Sequence, residues 1–308
     1  MPRQIRVFAP GSIGNVGPGL DILGLAVSGA GDTVDAELLD EPGIVVADAG
    51  HSNLSRDPTR HASAIAALAV LRKAGAAERV GLRLRVSKGL PLSGGQGGSA
   101  ASAVAGAVAA NLLLDSPLQA EDVLLAALES EAALAGRHAD NLAPSLLGGM
   151  VLIRCLDPLD LIRVPVPAAL RIVLAHPAQS LDTRDGRAVL PEQVSREVAL
   201  HQAAQVAAMV AAAYAGDLGL LGRAIDDRIA EPARAPLLHG FRQAKAAARG
   251  AGALGCSISG SGPTAFAFAA DDRTAARIAD AMCAAYAGAG VACTARIARP
   301  DLEGARVP

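Results

Sequence analysis

Tryptophan is absent from this chain of 308 residues, and aromatic residues make up only 2% of it. A core of that composition cannot be filled with rings. It has to be built from Ala, Leu and Val packed closely, which favours helices lying tight on sheets. Cysteine is scarce as well. Cys155, Cys256, Cys283 and Cys293 form neither a C-x-x-C pair nor a compact framework, no His/Cys cluster has zinc spacing, and no secretory signal opens the chain. They read as buried thiols in a reducing cytosol, so a cytoplasmic location is expected. A net charge of −2 with no long basic run argues against a nucleic-acid partner, because binding a phosphate backbone takes clustered Lys and Arg. The most apolar windows, 100–114 and 203–215, are interrupted or too short for the roughly 20 residues of a membrane helix, so no membrane is expected either. A small-molecule ligand is left as the expected partner.

Glycine, by contrast, is abundant, and it clusters. Residues 91–102 read PLSGGQGGSAAS. Glycine allows positive φ and lets main-chain N–H groups approach a ligand with no Cβ in the way. Ser99 stands where an N-cap belongs, and the alanine-rich run from Ala100 to Leu114 predicts a helix whose N-terminus points back into the loop. Loop and helix dipole together make an anion site suited to phosphate. The same glycines also suit a tight turn entering a buried helix. The P-loop pattern fails, since no lysine precedes Ser99, and there is no G-x-S-x-G elbow. The dinucleotide pattern fits Gly95, Gly97 and Ala100, but Leu82, Leu84 and Val86 alternate with Arg83, Arg85 and Ser87 ahead of it. Alternation marks a strand with one wet face, as in an antiparallel sheet, so the dinucleotide reading ranks second.

The length allows two domains sharing a cleft. Two strands, RQIRVFAP and LAVSGAGDTVDAELLD, flank the turn-rich GSIGNVGPGLDI; a helical stripe covers 61–74, and a strand 81–87. A further helix runs from Ala120 to a C-cap at Gly136, after which HADNLAPSLLGGMVLIRC passes from a polar turn through Pro144 and a glycine pair into a strand. Three prolines in 157–167 mark the domain boundary, which divides the chain into 1–158 and 159–308. The second part, with its strands separated by helices, predicts a ferredoxin-like α+β sandwich.

Four polar stretches stand apart from packing. Asn15 and Asp21 lie in a loop of three glycines and a proline, where both residue types also cap turns. Glu131 is followed by His138, Asp140 and Asn141. Thr183 and Arg187 lie in DTRDGRA, and Arg234 in AEPARAP. An arginine pair suits a carboxylate held by two parallel hydrogen bonds, while either arginine alone suits a solvated surface. Ser259 to Thr264 form a last glycine-rich turn, with Gly260 inside it. Mg²⁺ is held by one or two protein oxygens plus phosphates, a pair that Ser99 and Glu131 would supply if their helices pack side by side.

GNVGPGLD, PLSGGQGGSAAS, ESEAALAGRHADNLAPSLLGG, TRDGRAVLP, DRIAEPARAPLLHGF and SISGSGPT occur in this order through most of the chain. In these motifs it resembles the homoserine kinases of the GHMP small-molecule kinase superfamily. The resemblance implies an α+β fold with an N-terminal domain like ribosomal protein S5 and a ferredoxin-like C-terminal domain. It also implies transfer of the ATP γ-phosphate to L-homoserine, giving O-phospho-L-homoserine for threonine synthesis, by a homodimer. By position, Lys88, Pro91, Leu92, Ser93, Gly94, Gly95, Gln96, Gly97, Gly98, Ser99, Ala100 and Ala101 would hold ATP, and Ser99 with Glu131 would hold Mg²⁺. Asn15, Asp21, His138, Asn141, Arg187, Arg234 and Gly260 would surround L-homoserine, with Thr183, Asn141 and Arg187 nearest the chemistry. The loop departs from the family's G-L-G-S-S-A-A: Gln96 replaces an apolar residue and Gly98 the first serine, and His61 stands in place of an asparagine near the base. The alternatives are a kinase of this superfamily acting on another small alcohol, and a non-catalytic nucleotide-binding sensor of the same fold.

Overall fold

The computed structural model describes residues 3–308. The first half builds β1 (Gln4–Gly14), β2 (Leu23–Leu39), β3 (Gly43–Asp48), α1 (Ala62–Lys73), β4 (Gly81–Ser87), α2 (Gly98–Leu112), α3 (Ala120–Leu134), α4 (Leu142–Leu147), β5 (Met150–Leu156) and β6 (Leu159–Val164). The second half continues with β7 (Arg171–Pro177), α5 (Thr183–Ala188), α6 (Arg196–Ala215), α7 (Leu218–Arg223), α8 (Ala230–Arg234), α9 (Phe241–Gly250), β8 (Gly255–Ile258), β9 (Ala265–Ala269), α10 (Asp272–Gly288) and β10 (Cys293–Ala298).

The first sheet runs β3-β4-β2-β5-β6, with β1 also on β2. β2 serves three antiparallel ladders: with β1, with β5 through Leu23–Leu25 and with β4 through Thr33–Leu39. β4 shows the expected alternation, with Leu82, Leu84 and Val86 buried while Arg85 and Ser87 are exposed. The second sheet runs β10-β7-β9-β8, antiparallel throughout. Numbered from β7, its order is 4-1-3-2 with helical, hairpin and helical connections, the ferredoxin-like arrangement the sequence predicts.

Period-two patterning tells how the layers stack. In β9, AFAFA, the alanines join Val173, Ala175, Phe241, Ile278, Met282 and Tyr286 in the core under α9 and α10. Phe266 and Phe268 point the other way, into a core shared with Ile13, Leu23, Leu25 and Met150 of the first sheet and Met209 and Ala212 of α6. The scarce aromatics therefore sit where alanine leaves too much space: Phe241, Phe266, Phe268 and Tyr286 are among the largest fully buried side chains. The other face of the first sheet is covered by α1, α2 and α3, whose contacts are almost all Ala, Val and Leu.

Several expectations need correction. α2 begins at Gly98, and its N-cap is Gly97 in the left-handed region at φ 68° with no side-chain cap, so Ser99 is already inside the helix and exposed. The turn around Pro144 is the short helix α4. Proline occupies its first turn, where a missing N–H costs no helical bond. β3, absent from the sequence reading, pairs parallel with β4, so the first sheet is mixed. The proposed division at 158/159 falls in the β5–β6 hairpin turn: β6 pairs with β5, and the first sheet extends to Val164. Of the four thiols only Cys256 is buried. α6, at 20 residues, is longer than the apolar stretch read from the sequence and meets a length-and-composition test for crossing a membrane, a test that core helices of soluble proteins also meet. Its apolarity is that of alanine, and Gln202, Met209, Ala212 and Ala213 are buried in the fold.

The tight approach of helices to one another rests on Gly106. A Cβ there would lie 2.5 Å from Ser63 O and 2.7 Å from Ser63 Cα across the α1–α2 contact. Elsewhere in a helix, Gly→Ala stabilises by about 0.5–1 kcal/mol. Here Gly106→Ala is expected to destabilise by about 1–3 kcal/mol because α1 must move away. Urea unfolding of the two proteins checks the sign.

Candidate active site

A cavity of about 610 Å³ opens between the glycine-rich loop on one side and the 15–21 and 260–262 turns, α5 and Arg234 on the other. The loop's shape explains its composition. Gly95 has φ 72°, and a Cβ on it would lie 2.6 Å from the carbonyl oxygens of both Ser259 and Gly262; on Gly97 it would meet Ser12 Oγ at 2.3 Å. The loop carbonyls face away from the cavity and are engaged. Thr264 Oγ1 donates to Gly94 O, Ser259 Oγ to Gly95 O at 2.6 Å, and Ser12 N to Gln96 O at 3.1 Å. Among the described residues, no group accepts a hydrogen bond from the backbone N–H of Gly95 to Ser99. Those donors and the α2 N-terminus together form an anion cradle.

Lys88 lies beneath the cradle, only 7% exposed, and is tied to Asp32, Ser102 Oγ (3.0 Å) and the Gly98 carbonyl (2.9 Å). Asp32 is fully buried and also accepts from Ser102 Oγ at 2.6 Å and Gly89 N at 3.1 Å. Lys88 thus fastens the first turn of α2. Asp32 and Ser102 went unnoticed in the sequence, because 70 residues separate them and neither sits in a motif. At the far end of the cavity, with Asn53 and Leu54, stands His61. Burial, with the Lys88 charge adding to it, lowers the His61 pKa, and its ring nitrogens lie near Ala49 O (3.4 Å) and Ser63 Oγ (3.0 Å).

The opposite wall carries charge of both signs. Asn15, Val16 and Asp21 all have positive φ, at 67°, 46° and 63°, backbone strain of the kind that collects at functional sites. It is held by hydrogen bonds from Asn15 Nδ2 to Gly260 O (3.0 Å), Asp21 N to Asn15 Oδ1 (3.1 Å) and Asn15 N to Asp140 Oδ2 (3.0 Å). Arg187 grips Asp21 through both terminal nitrogens, the shorter contact 2.7 Å. Arg234 is 3% exposed and donates to Gly186 O and Gly260 O, both at 2.9 Å, and burial lowers its pKa. It pairs with no carboxylate among the described residues.

Glu131, at the end of α3, is buried, and its carboxyl is pushed up to about 7 by burial, reinforced by Asp140 and opposed by His138 and Arg187. Burial works the other way on His138, but the carboxylates of Asp140 (3.5 Å) and Glu131 (3.7 Å) outweigh it, and its pKa is raised. Glu131 Oε2, His138 Nε2 and Asp140 Oδ1 are buried with no hydrogen-bond partner. Asp21, His138 and Asp140 bring one ligand-type atom each within 4.8 Å of one another. Since Asp21 is met by Arg187 and Asp140 by Asn15 N–H, this cluster is an acidic wall and not a closed ligand shell. Asp140, named in the sequence only as part of the polar stretch around HADN and given no role there, also lines the site.

Every residue expected at the site lines this cavity except two. Gln96 turns away from it and Ala101 is fully buried in α2. Asn141 lines it with its Oδ1 3.0 Å from Ser12 Oγ, and Thr183, the first residue of α5, lines it from the second half of the chain.

The GHMP kinases N terminal domain family matches residues 61–149, and the GHMP kinases C terminal family residues 209–288. The chain is 41% identical over 295 residues to a homoserine kinase of Chlorobium phaeobacteroides, covering 92% of each. With a homoserine kinase of Arabidopsis thaliana it shares 41% identity over 315 residues, covering 99% of this chain and 84% of the relative. The crystal structure of homoserine kinase from Cytophaga hutchinsonii superposes with a TM-score of 0.94 at 38% identity, covering 100% of this chain and 98% of that one. Matching domains at both ends of the cleft, full-length relatives and a shared architecture agree: the chain belongs to the homoserine kinases of the GHMP kinase family.

Proposed function

We propose that this protein transfers the γ-phosphoryl group of ATP to the side-chain hydroxyl of L-homoserine, forming O-phospho-L-homoserine for threonine synthesis. The observation that carries the reading is the pairing, in one cavity, of a cradle of free N–H groups with a wall bearing Asp21, Arg187 and Arg234. The cradle is complementary to a triphosphate, and the wall to an amino-acid zwitterion. In this reading Gly94, Gly95 and Gly97 to Ala100 hold ATP, and Asp21 takes the substrate ammonium. Arg234 and Arg187 take its carboxylate, so the Asp21–Arg187 pair opens to admit it. Asn15, His138 and Gly260 complete the pocket.

Mg²⁺ fits the residues present. Glu131 Oε2 is a buried carboxylate oxygen with no partner, and Ser99 offers a hydroxyl on the exposed first turn of α2. Both line the cavity, and hard oxygen donors suit this ion. When bound, it supplies charge neutralisation along the triphosphate.

Phosphoryl transfer asks the protein for alignment and charge compensation above all. Asn141, oriented through Ser12, positions the acceptor hydroxyl and carries no titratable proton. His138 faces two carboxylates that hold its proton, which makes it a poor acceptor of another. Thr183 sits beside the reacting groups at the start of α5, and the hydroxyl proton passes to the phosphate or to water. Membership in a family of metabolic enzymes supports a cytoplasmic setting, and the family resemblance supports a homodimer, which light scattering would test.

Purified protein is expected to form ADP with L-homoserine but not with mevalonate or galactose, in a Mg²⁺-dependent manner. Ser99→Ala and Arg234→Ala should each lower kcat/KM by about a hundredfold or more, the scale of losing a charge-assisted contact at a reacting site. ATP binding without turnover on any acceptor would instead make the chain a nucleotide sensor. A pH–rate profile with a basic limb that vanishes in His138→Ala would overturn the mechanism without a general base.

The state of Glu131 gives an independent test of its place in a cation site. A carboxyl raised from 4.5 to about 7 favours the folded state at low pH, and that contribution is lost as pH rises through this window. Glu131→Gln, with no charge to bury, is therefore expected to match the wild type near pH 4.5 and to exceed its stability by about 2–3 kcal/mol at pH 8 without metal. Thermal unfolding across this pH range reads the difference, and added Mg²⁺ should raise the wild-type Tm only.

A further inference from the structure

The amide of Gln96, in the middle of the phosphate cradle, lies outside the cavity and is only 6% exposed. Its Oε1 accepts from Arg296 of β10, from Nη2 at 3.1 Å and Nε at 3.4 Å, and its Nε2 donates to Thr264 Oγ1 at 3.3 Å. The reverse orientation of the amide would set N–H against N–H, so the guanidinium fixes which way it points. Thr264 Oγ1 gives its hydrogen to Gly94 O and so accepts from both Gln96 and His176 Nδ1 (3.0 Å), which places the imidazole proton on Nδ1. An unbroken series of hydrogen bonds therefore runs from β10, at the edge of the second sheet, through Arg296, Gln96 and Thr264 to the Gly94 carbonyl.

Arg296 has no carboxylate partner among the described residues. Besides Gln96 it reaches only Ser28 O, through Nη1 at 2.7 Å, so its half-buried charge is offset by dipoles alone. An apolar residue at position 96 would strand that cation, and an unmet charged donor costs more than a made hydrogen bond contributes. The amide at position 96 and the arginine at position 296 are thus one device.

We propose that Gln96 and Arg296 form a positioning clasp that holds the phosphate cradle against the second sheet and so sets its affinity for ATP. The affinity part rests on the reading of the cradle as an ATP site; the clasp itself does not.

The test compares the wild type with Gln96→Leu, Arg296→Met and the double variant, measuring ATP binding by calorimetry and KM for both substrates. Gln96→Leu should weaken ATP binding by about tenfold or more while KM for L-homoserine shifts by less than about twofold. Arg296→Met should weaken it by about threefold, since it leaves only neutral acceptors, Gln96 Oε1 and Ser28 O, unmet. The double variant, with no buried donor stranded, should return to within about threefold of the wild type. Wild-type ATP affinity in Gln96→Leu, equal rises in both KM values, or a double variant no better than Gln96→Leu would each overturn the proposal. If Gln96→Leu does not fold, Arg296→Met and the double variant carry the test, and wild-type ATP affinity in Arg296→Met overturns it. Hydrogen exchange of the Gly94–Gly98 amides reads the clasp without nucleotide, and should be fastest in Gln96→Leu and less raised, but still above wild type, in Arg296→Met and the double variant. That pattern in a protein whose wild type binds no ATP refutes the kinase reading and leaves the clasp standing.

Discussion

A loop made mostly of glycine cannot hold its own shape, and the site depends on how that constraint is met. Free N–H groups serve as an anion cradle only if the matching carbonyls are turned away and satisfied elsewhere, since an unpaired buried carbonyl is as costly as a lost hydrogen bond. Here they are satisfied by Thr264 and Ser259, which follow β8 in the second sheet, and by Ser12 in β1. The close approach of Gly95 to the Ser259 and Gly262 carbonyls leaves no room for a side chain between the two backbones. The cradle therefore exists only when both sheets are in place, and their common core of Ile13, Leu23, Leu25, Phe266 and Phe268 is as much a part of the site as the residues that line it.

The opposite wall solves a second problem. The proposed pocket, for a zwitterion next to a triphosphate and its cation, keeps charges of both signs at low solvent exposure, where each is expensive unless compensated. The fold does this in three ways. Asp21 and Arg187 neutralise each other; Arg234 spends its hydrogen bonds on backbone carbonyls; and Glu131, without a cation, moves toward its neutral form. The first arrangement is reversible by exchange with a ligand, because both partners lie at the cavity and neither is fully buried. The last leaves the site responsive to a cation, since any ion that pairs with Glu131 also relieves its burial. The left-handed backbone at Asn15, Val16 and Asp21 is what directs Asp21 toward Arg187, and three hydrogen bonds hold it there.

Much of this was legible in the sequence where local chemistry speaks through spacing. Alternation revealed β4, helical periodicity α1, and the order of polar motifs nearly all of the cavity wall. The misses have physical causes. β3 is a short parallel edge strand whose pattern resembles a loop, and α4 was hidden by a proline that is harmless in a first helical turn. Ser99 looked like an N-cap because serine usually is one, yet the left-handed Gly97 starts the helix earlier and frees the serine to face the cavity. β6 looked like a linker because of the prolines around it. Asp32 and Ser102 carry no local signal at all, since their role exists only once β2 and α2 pack together around Lys88.

The two departures of the loop from its family pattern turn out to be different in kind. Gln96 is built into a network that an apolar residue could not satisfy, and Arg296 across the interface is its partner there. Gly98 is not demanded by space. A Cβ there would find Lys88 Nζ at 3.4 Å and Leu90 Cβ at 3.5 Å, ordinary contact distances, and its φ lies outside the left-handed region. A serine would fit at position 98, and nothing in the structure explains its loss. What glycine does not take away is the anchoring of this turn, because Lys88 binds the Gly98 carbonyl, a group every residue possesses. Glycine at position 98 thus offers no hydroxyl at the cradle's rim while leaving its backbone geometry intact, and in the proposed reading the backbone N–H groups of the loop carry the recognition of the anion.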